Sequence, residues 1–358
     1  MKTKHHIAIA AAGTGGHIFP GISIGQGLEQ RGFTISWVGT HQGMSLEKVK
    51  PLGWSYLGLN FYGKKGRFGR YLWPLKLIIA TVLCVIYFKK NGVNRVLVMG
   101  GFISLPAALA ARALKINLSL HEQNVIPGQA NKIISQWAEH CFAAFEGTAL
   151  PNVTIMGNPQ RFTAQDAITK HTGPLRILIV GGSQGAQFLN QHVSASLAND
   201  IKQPLSIYHQ CGSGEVSTVK SIYEQSNHDV NVISFINDMA SAYQWADVVI
   251  ARSGAMTISE CIQMLKPALF IPLPTSALNH QHLNAEWLVA RDGADMIAQA
   301  EWSSELLLSW LEDIQHVASR EKRVLVLKDL QEDTNIIDQI LDQWQIQDEK
   351  SHQDSEII

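Results

Sequence analysis

Short apolar runs alternate along the chain with longer segments whose apolar positions recur at helical spacing, a pattern that predicts β-α-β units and parallel sheets. In the first half the predicted strands are 6–12, 34–38, 95–99, 118–120 and 140–144. In the second half they are 176–180, 206–209, 230–235, 247–251 and 268–271. Each half opens with a strand, a glycine-rich turn and a helix: IAIAAAGTGGHIFPG at 7–21 and RILIVGGSQGAQFLN at 176–190. The layout predicts two doubly wound α/β domains in tandem, facing each other across a cleft, with ligands beyond the carboxyl ends of the strands. The expected domains are 1–160 and 161–334, joined through a Pro- and Gly-containing stretch at 157–174. A helix at about 335–346 is expected to pack back on the first domain, ahead of a polar tail at 347–358.

A length of 358 residues fits about two domains, and 46% hydrophobic residues give each a core. Charged residues make up only 16%, against roughly 25% in an average soluble domain, so part of the surface should be covered. The four cysteines lie far apart and form no CxxC pair, which excludes a disulfide scaffold and a zinc ribbon and fits a reducing cytosol. The start, MKTKHHIAIAAAGTGG, has too short an apolar run for a secretory leader and reads as a first strand.

The net charge of −1 conceals an asymmetry. Residues 1–160 hold 16 Lys and Arg against five Glu and no Asp, or +11; the remainder holds 13 basic against 25 acidic residues, or −12. An anionic partner is therefore expected for the first half only, either nucleic acid or an anionic membrane. The segment YLWPLKLIIATVLCVIYF, from Tyr71 to Phe88, bears on that choice. From Leu77 to Phe88 the only polar residue is Thr81, and Lys64, Lys65, Arg67, Arg70, Lys89, Lys90 and Arg95 flank the segment. Counted from Pro74, the helix covers about 22 Å, short of the ~30 Å hydrocarbon core. The segment therefore reads as lying in the interface of an anionic leaflet, the alternatives being a buried core helix or an oligomer contact. The basic surroundings and the +11 half favour the membrane reading over those alternatives, and no nucleic-acid partner is expected.

Neither glycine loop is a dinucleotide GxGxxG or a P-loop, so each is a phosphate cradle at a helix N-terminus or simply a tight turn. His17, at the top of the first strand, is either a general base or a helix-capping histidine. In ADVVIARSGAMTISECIQMLKPALFIP (246–272) a helix starts near Ala255, and Glu260 either binds vicinal hydroxyls, as ribose presents, or sits in a surface ion pair. NHQHLNA (279–285) and HEQN (121–124) each offer amide and imidazole groups suited to sugar hydroxyls, or are polar loops. No metal site is expected, since the chain has no DxD, no HExxH and no cysteine cluster; a leaving diphosphate would be met by helix dipoles and by Arg161 or Arg252. No cofactor is expected.

Taken in order, GTGGHIFPG (13–21), MGGF (99–102), HEQNVIPGQANK (121–132), GNPQR (157–161), GGSQGAQFLN (181–190), FINDM (235–239), RSGAMTISE (252–260) and NHQHLNA are specific. Through them the chain resembles, from Ile7 to about Trp344, the MurG family of bacterial N-acetylglucosaminyltransferases of peptidoglycan synthesis. The resemblance implies a GT-B fold and inverting transfer of N-acetylglucosamine from UDP-N-acetylglucosamine to the 4-hydroxyl of undecaprenyl-diphosphate-linked N-acetylmuramoyl-pentapeptide. It also implies a peripheral protein on the cytoplasmic face of the inner membrane, with cell-wall synthesis proteins as protein partners. By that resemblance Ile236 meets the uracil and Glu260 the ribose, while Ala255, Met256, Thr257, Ile258 and Ser259 meet the diphosphate. Ser183 and Arg161 help there, His280 and Gln281 hold the sugar, and Thr14, Gly15, Gly16 and Asn124 close the site. His17 is the first choice of base and Glu122 the second. Phe102 stands where many relatives carry tyrosine, and residues 276–279 lack the family's usual acidic residue. Two other readings are a UDP-N-acetylglucosamine 2-epimerase-like isomerase, disfavoured by the absence of aspartate from 1–160, and a membrane-docked, non-catalytic sugar-nucleotide-binding subunit.

Overall fold

The structure is a computed structural model and describes residues 5–61, 67–159, 173–182, 185–331 and 335–346. The chain divides into two compact units, Met1–Pro159 with Glu332–Ile358, and Gln160–Gln331. Most of the expected linker at 157–174 and the whole tail at 347–358 lie outside the described residues.

The first unit runs β1 (His6–Ala10), α1 (Gly15–Gln30), β2 (Thr34–Thr40), α2 (Met44–Val49), β3 (Ser55–Leu59), α3 (Arg67–Asn91) and β4 (Arg95–Val98). It continues with α4 (Ser104–Leu114), β5 (Asn117–Glu122), α5 (Gln129–Ile134), β6 (His140–Ala143) and β7 (Val153–Ile155). Its seven strands are parallel in the order β3-β2-β1-β4-β5-β6-β7.

The second unit runs β8 (Leu175–Val180), α6 (Ser194–Asp200), β9 (Leu205–Gln210), α7 (Val216–Tyr223), β10 (Asp229–Ile233), α8 (Met239–Trp245) and β11 (Val248–Ala251). Then follow α9 (Ala255–Gln263), β12 (Ala268–Phe270), α10 (His280–Val289), β13 (Asp295–Met296), α11 (Ser304–Ile314) and α12 (Val317–Asp329). Its six parallel strands are ordered β10-β9-β8-β11-β12-β13. The last helix, α13 (Ile336–Gln343), belongs to the first unit, where Ile337, Ile340, Leu341 and Trp344 join the core formed by Ile7, Ile9, Ile24 and Trp37.

All ten expected strands are present with ends within two residues, and all but the edge strand β10, in which only Val232 is buried, are largely buried runs. Strands β3, β7 and β13 escape the sequence pattern. They lie at sheet edges, and β7 and β13 have only three and two residues. In each sheet the order reverses at one point, between β1 and β4 and between β8 and β11. Ligands of doubly wound sheets bind beyond the carboxyl ends at such a switch point. The loops following those four strands contain GTGGH, MGG, GGSQG and RSG, so the fold delivers the sequence motifs to the two places built for ligands.

Candidate functional site

In the first unit, His17 sits in the opening turn of α1 and its ring packs over Gly100 at the end of β4. A Cβ at Gly100 would lie 3.0 Å from His17 Cε1, and the backbone there has φ +99°, so both space and conformation require glycine. His17 N and Ile18 N donate to the Thr14 carbonyl, while Gly15 and Gly16, at the first helical positions, have no intrahelical acceptor. Thr14 and Gly16 are exposed, and Gly15 is half-buried. The turn thus presents backbone donors and an imidazole together.

Behind the imidazole lies HEQN. His17 Nδ1 is 2.8 Å from Gln123 Oε1, Gln123 Nε2 is 3.1 Å from His121 Nδ1, and His121 Nε2 is 2.9 Å from the Gly157 carbonyl. His121 and Gln123 are fully buried, and desolvation pushes the His121 pKa down to about 4.

Glu122 has another task. Its Oε1 accepts from Asn124 N and Asn124 Nδ2 at 3.0 and 3.1 Å, and its Oε2 accepts from Gly128 N and Asn131 Nδ2 at 2.9 and 2.8 Å. Four donors occupy the roughly four lone-pair directions of a carboxylate, and the group is 1% exposed. The geometry therefore assigns Glu122 to ordering loop 123–128 and Asn124 rather than to proton abstraction, which leaves His17 as the base candidate of the two. Sequence reasoning passed over Gln123 and Asn131. The first was in view as a polar loop residue, but Asn131, whose Nδ2 also donates to the His121 carbonyl at 3.3 Å, returns to this cluster only through the packing of α5.

In the second unit, α9 begins at the switch point. Its N-cap Gly254 has no side chain to cap it, so the N–H groups of Ala255, Met256 and Thr257 have no intrahelical acceptor, and the helix dipole adds to them. Ile258 differs: its N–H donates to Gly254 O at 3.1 Å and its side chain is fully buried. Ser259 lies a turn further in, where its N–H bonds back along the helix. The backbone donors that the helix itself leaves over are therefore those of 255–257. Glu260 is no surface residue; it is 3% exposed, and the Tyr243 hydroxyl donates to its Oε2 at 3.0 Å. Ile236 is buried in the loop after β10. Gln281 Oε1 accepts from Leu273 N at 2.9 Å, and Gln281 N donates to Ser276 Oγ at 3.3 Å, which ties the loop after β12 to the start of α10 beside His280. Arg161 and Ser183 lie outside the described residues.

Arg252 does not serve as the diphosphate cation. Its Nη1 donates to the carbonyls of Ile271 and Pro272 at 2.9 and 3.1 Å, its Nη2 to Gln299 Oε1 at 3.1 Å, and its guanidinium lies over the Phe188 ring. It is a buried clamp on the end of β12. Replacing it with Ala leaves two buried carbonyls without donors, at roughly 1–3 kcal/mol each. The expected result is a clear fall in melting temperature, checked by calorimetry.

A third feature is α3. It runs for 25 residues, so it extends through Pro74 and reaches about 37 Å, longer than the sequence count allowed. Leu72–Asn91 is long and apolar enough to cross a bilayer. One face, however, enters the core through Ala80, Cys84 and Phe88, and the helix packs against α4. The opposite face exposes Leu72, Leu75, Ile78, Ile79, Val82, Leu83 and Ile86, each 42–60% accessible. Arg95 drops out of the flanking basic set, because its guanidinium stacks on Trp344 and donates to the Trp344 carbonyl at 3.3 Å. Among the described residues no three His, Cys, Asp or Glu side chains gather in metal-binding fashion.

Two parallel-sheet units with glycine loops and an uncapped helix at their switch points have the architecture of GT-B proteins, and the comparisons with known proteins place the chain among the glycosyltransferases of that fold. Residues 7–143 match the glycosyltransferase family 28 N-terminal domain and residues 176–340 its C-terminal domain. Proteins of Psychrobacter arcticus and Psychromonas ingrahamii, both named UDP-N-acetylglucosamine–N-acetylmuramyl-(pentapeptide) pyrophosphoryl-undecaprenol N-acetylglucosamine transferase, are 37% and 36% identical to it. The alignments cover 90% and 87% of this chain and 93% and 90% of those proteins. The crystal structure of Acinetobacter baumannii MurG superposes with a TM-score of 0.84 at 30% identity, over 95% of this chain and 99% of that one. The chain belongs to the MurG family of glycosyltransferases.

Proposed function

We infer that the chain transfers N-acetylglucosamine from UDP-N-acetylglucosamine, with inversion, to the 4-hydroxyl of undecaprenyl-diphosphate-linked N-acetylmuramoyl-pentapeptide. The observation that carries this reading is the identity to transferases of that name along nearly their whole length. The site residues fit the chemistry. His17 removes the proton of the acceptor hydroxyl, the oxygen bonds to the anomeric carbon, and the bond from that carbon to the diphosphate breaks. The departing charge is met by the N–H groups at 255–257 and the dipole of α9. Glu260 accepts from the ribose hydroxyls, Ile236 frames the base, and His280 and Gln281 meet the sugar. The exposed face of α3, with Lys76, Lys89 and Lys90 around it, supports a peripheral position on an anionic leaflet, where the lipid-linked acceptor resides.

The reaction is tested with radiolabelled UDP-N-acetylglucosamine and a short-chain analogue of the lipid acceptor. Label entering the lipid fraction only when both substrates are present is the expected result. Binding of donor without transfer would mark a recruiting subunit, and sugar conversion without acceptor an isomerase. Glu260→Gln keeps an acceptor for the Tyr243 hydroxyl but gives up charge-assisted bonds to ribose, worth about 1.5–3 kcal/mol. The donor KM should rise about ten- to a hundredfold with kcat little changed, and UDP affinity measured by calorimetry should fall in parallel.

A further inference from the structure

The polarity of the hydrogen bonds behind His17 is set by groups that can only accept. A backbone carbonyl has no proton to give, so His121 Nε2, 2.9 Å from Gly157 O, carries the hydrogen. With the His121 pKa pushed down to about 4 by complete burial, the ring is neutral near pH 7 and its Nδ1 is bare. That bare nitrogen and the His121 carbonyl oxygen lie 3.1 and 3.0 Å from the same end of the Gln123 carboxamide. Two acceptors at one end demand the NH2 group there. The other end is therefore Oε1, and it faces His17 Nδ1 at 2.8 Å. An amide oxygen only accepts, so His17 Nδ1 must donate. A neutral imidazole has one N–H, which leaves the basic lone pair on Nε2. No described residue makes a hydrogen bond to that nitrogen.

We propose that Gln123 is a positioning residue of the transfer reaction: anchored by His121, it holds neutral His17 in the Nδ1–H tautomer with the basic lone pair on Nε2. This rests on the reading of His17 as the base. The opposite tautomer would set the Nδ1 lone pair against Gln123 Oε1 and present a proton where the acceptor's proton must go. In the Ser-His-Asp triad a carboxylate orients the imidazole in this way. Here a neutral amide does so, and its own orientation is fixed by a backbone carbonyl two residues away.

The test reads the tautomer directly. Full-length protein labelled with 15N-histidine is examined by long-range proton–nitrogen correlation at about pH 8.5, two units above an ordinary imidazole pKa of about 6.5. The His17 resonances are assigned by their loss in His17→Ala. Wild-type His17 should show a protonated Nδ1 and an unprotonated Nε2. Gln123→Met removes the acceptor at similar volume; the His17 spectrum should move toward the other tautomer, and kcat should fall about ten- to a hundredfold at unchanged donor KM. An unprotonated Nδ1 in the wild type would overturn the proposal, as would an unchanged tautomer in Gln123→Met. An unchanged kcat in Gln123→Met alongside a moved tautomer would overturn it as well. Should the tautomer respond as stated while His17→Ala retains full turnover, the positioning proposal fails through its premise, because His17 is then not the base.

Discussion

His17→Ala lowers kcat by about 10²–10⁴-fold, the range a positioned general base contributes, and leaves UDP-N-acetylglucosamine affinity within about twofold. In barrier terms this is roughly 3–5 kcal/mol. The size follows from the surroundings of the ring. His17 is held from below by Gly100 and from one side by Gln123, so its position is fixed before substrate arrives, and what is lost is a preorganised group rather than a mobile one. Glu122 offers no substitute, since both its oxygens are occupied by Asn124, Gly128 and Asn131. Donor affinity is spared because the residues assigned to UDP belong to the second unit. Single-turnover transfer to the short-chain acceptor measures the first quantity, and calorimetric titration with donor the second. Turnover within tenfold of wild type would remove His17 as the base.

The repeated strand, glycine turn and helix were legible because buried parallel strands are continuous apolar runs and because positive-φ turns call for glycine. Those two signals place the motifs at the carboxyl ends of their strands, and the strand order then puts them at the switch points. Direction of side chains was not legible. Arg252 at a strand end looks like a cation for a diphosphate, yet it turns inward to carbonyls of Ile271 and Pro272 that lie some twenty residues on. Arg95 looks like part of a basic flank and instead meets Trp344, a partner 249 residues away. Pro74 reads as a helix start, since proline suits the first turn, but α3 carries it as an interior residue. The roles of Glu122 and Gln123 were hidden for a related reason. Their partners come from β1's loop, α5 and the segment after β7, and only the sheet order makes these neighbours.

Substituting Ile78, Ile79, Val82 and Ile86 together with Ser reduces partitioning onto phosphatidylglycerol-containing vesicles by about 10²–10³-fold. A fully buried Ile or Val side chain is worth about 1.5–3 kcal/mol relative to an exposed one. These four are roughly half exposed, so each has about 1 kcal/mol left to gain by entering lipid, and the sum corresponds to three orders of magnitude at most. Stability should be little affected, because the positions that anchor α3 are Ala80, Cys84 and Phe88 on its other side. Thermal melting and donor affinity are the controls. Lys89→Gln with Lys90→Gln gives a smaller loss, about thirtyfold, that disappears at high salt, as expected for screened attraction worth about 1 kcal/mol per charge. The two variants separate the contributions. If apolar insertion dominates, the serine variant fails to bind at any ionic strength, whereas the glutamine variant binds anionic and neutral vesicles alike. Unchanged partitioning of the serine variant in a flotation assay would show that lipid does not cover this face. Loss of a lipid-independent dimer in sedimentation would identify a second copy of the chain as the covering surface instead.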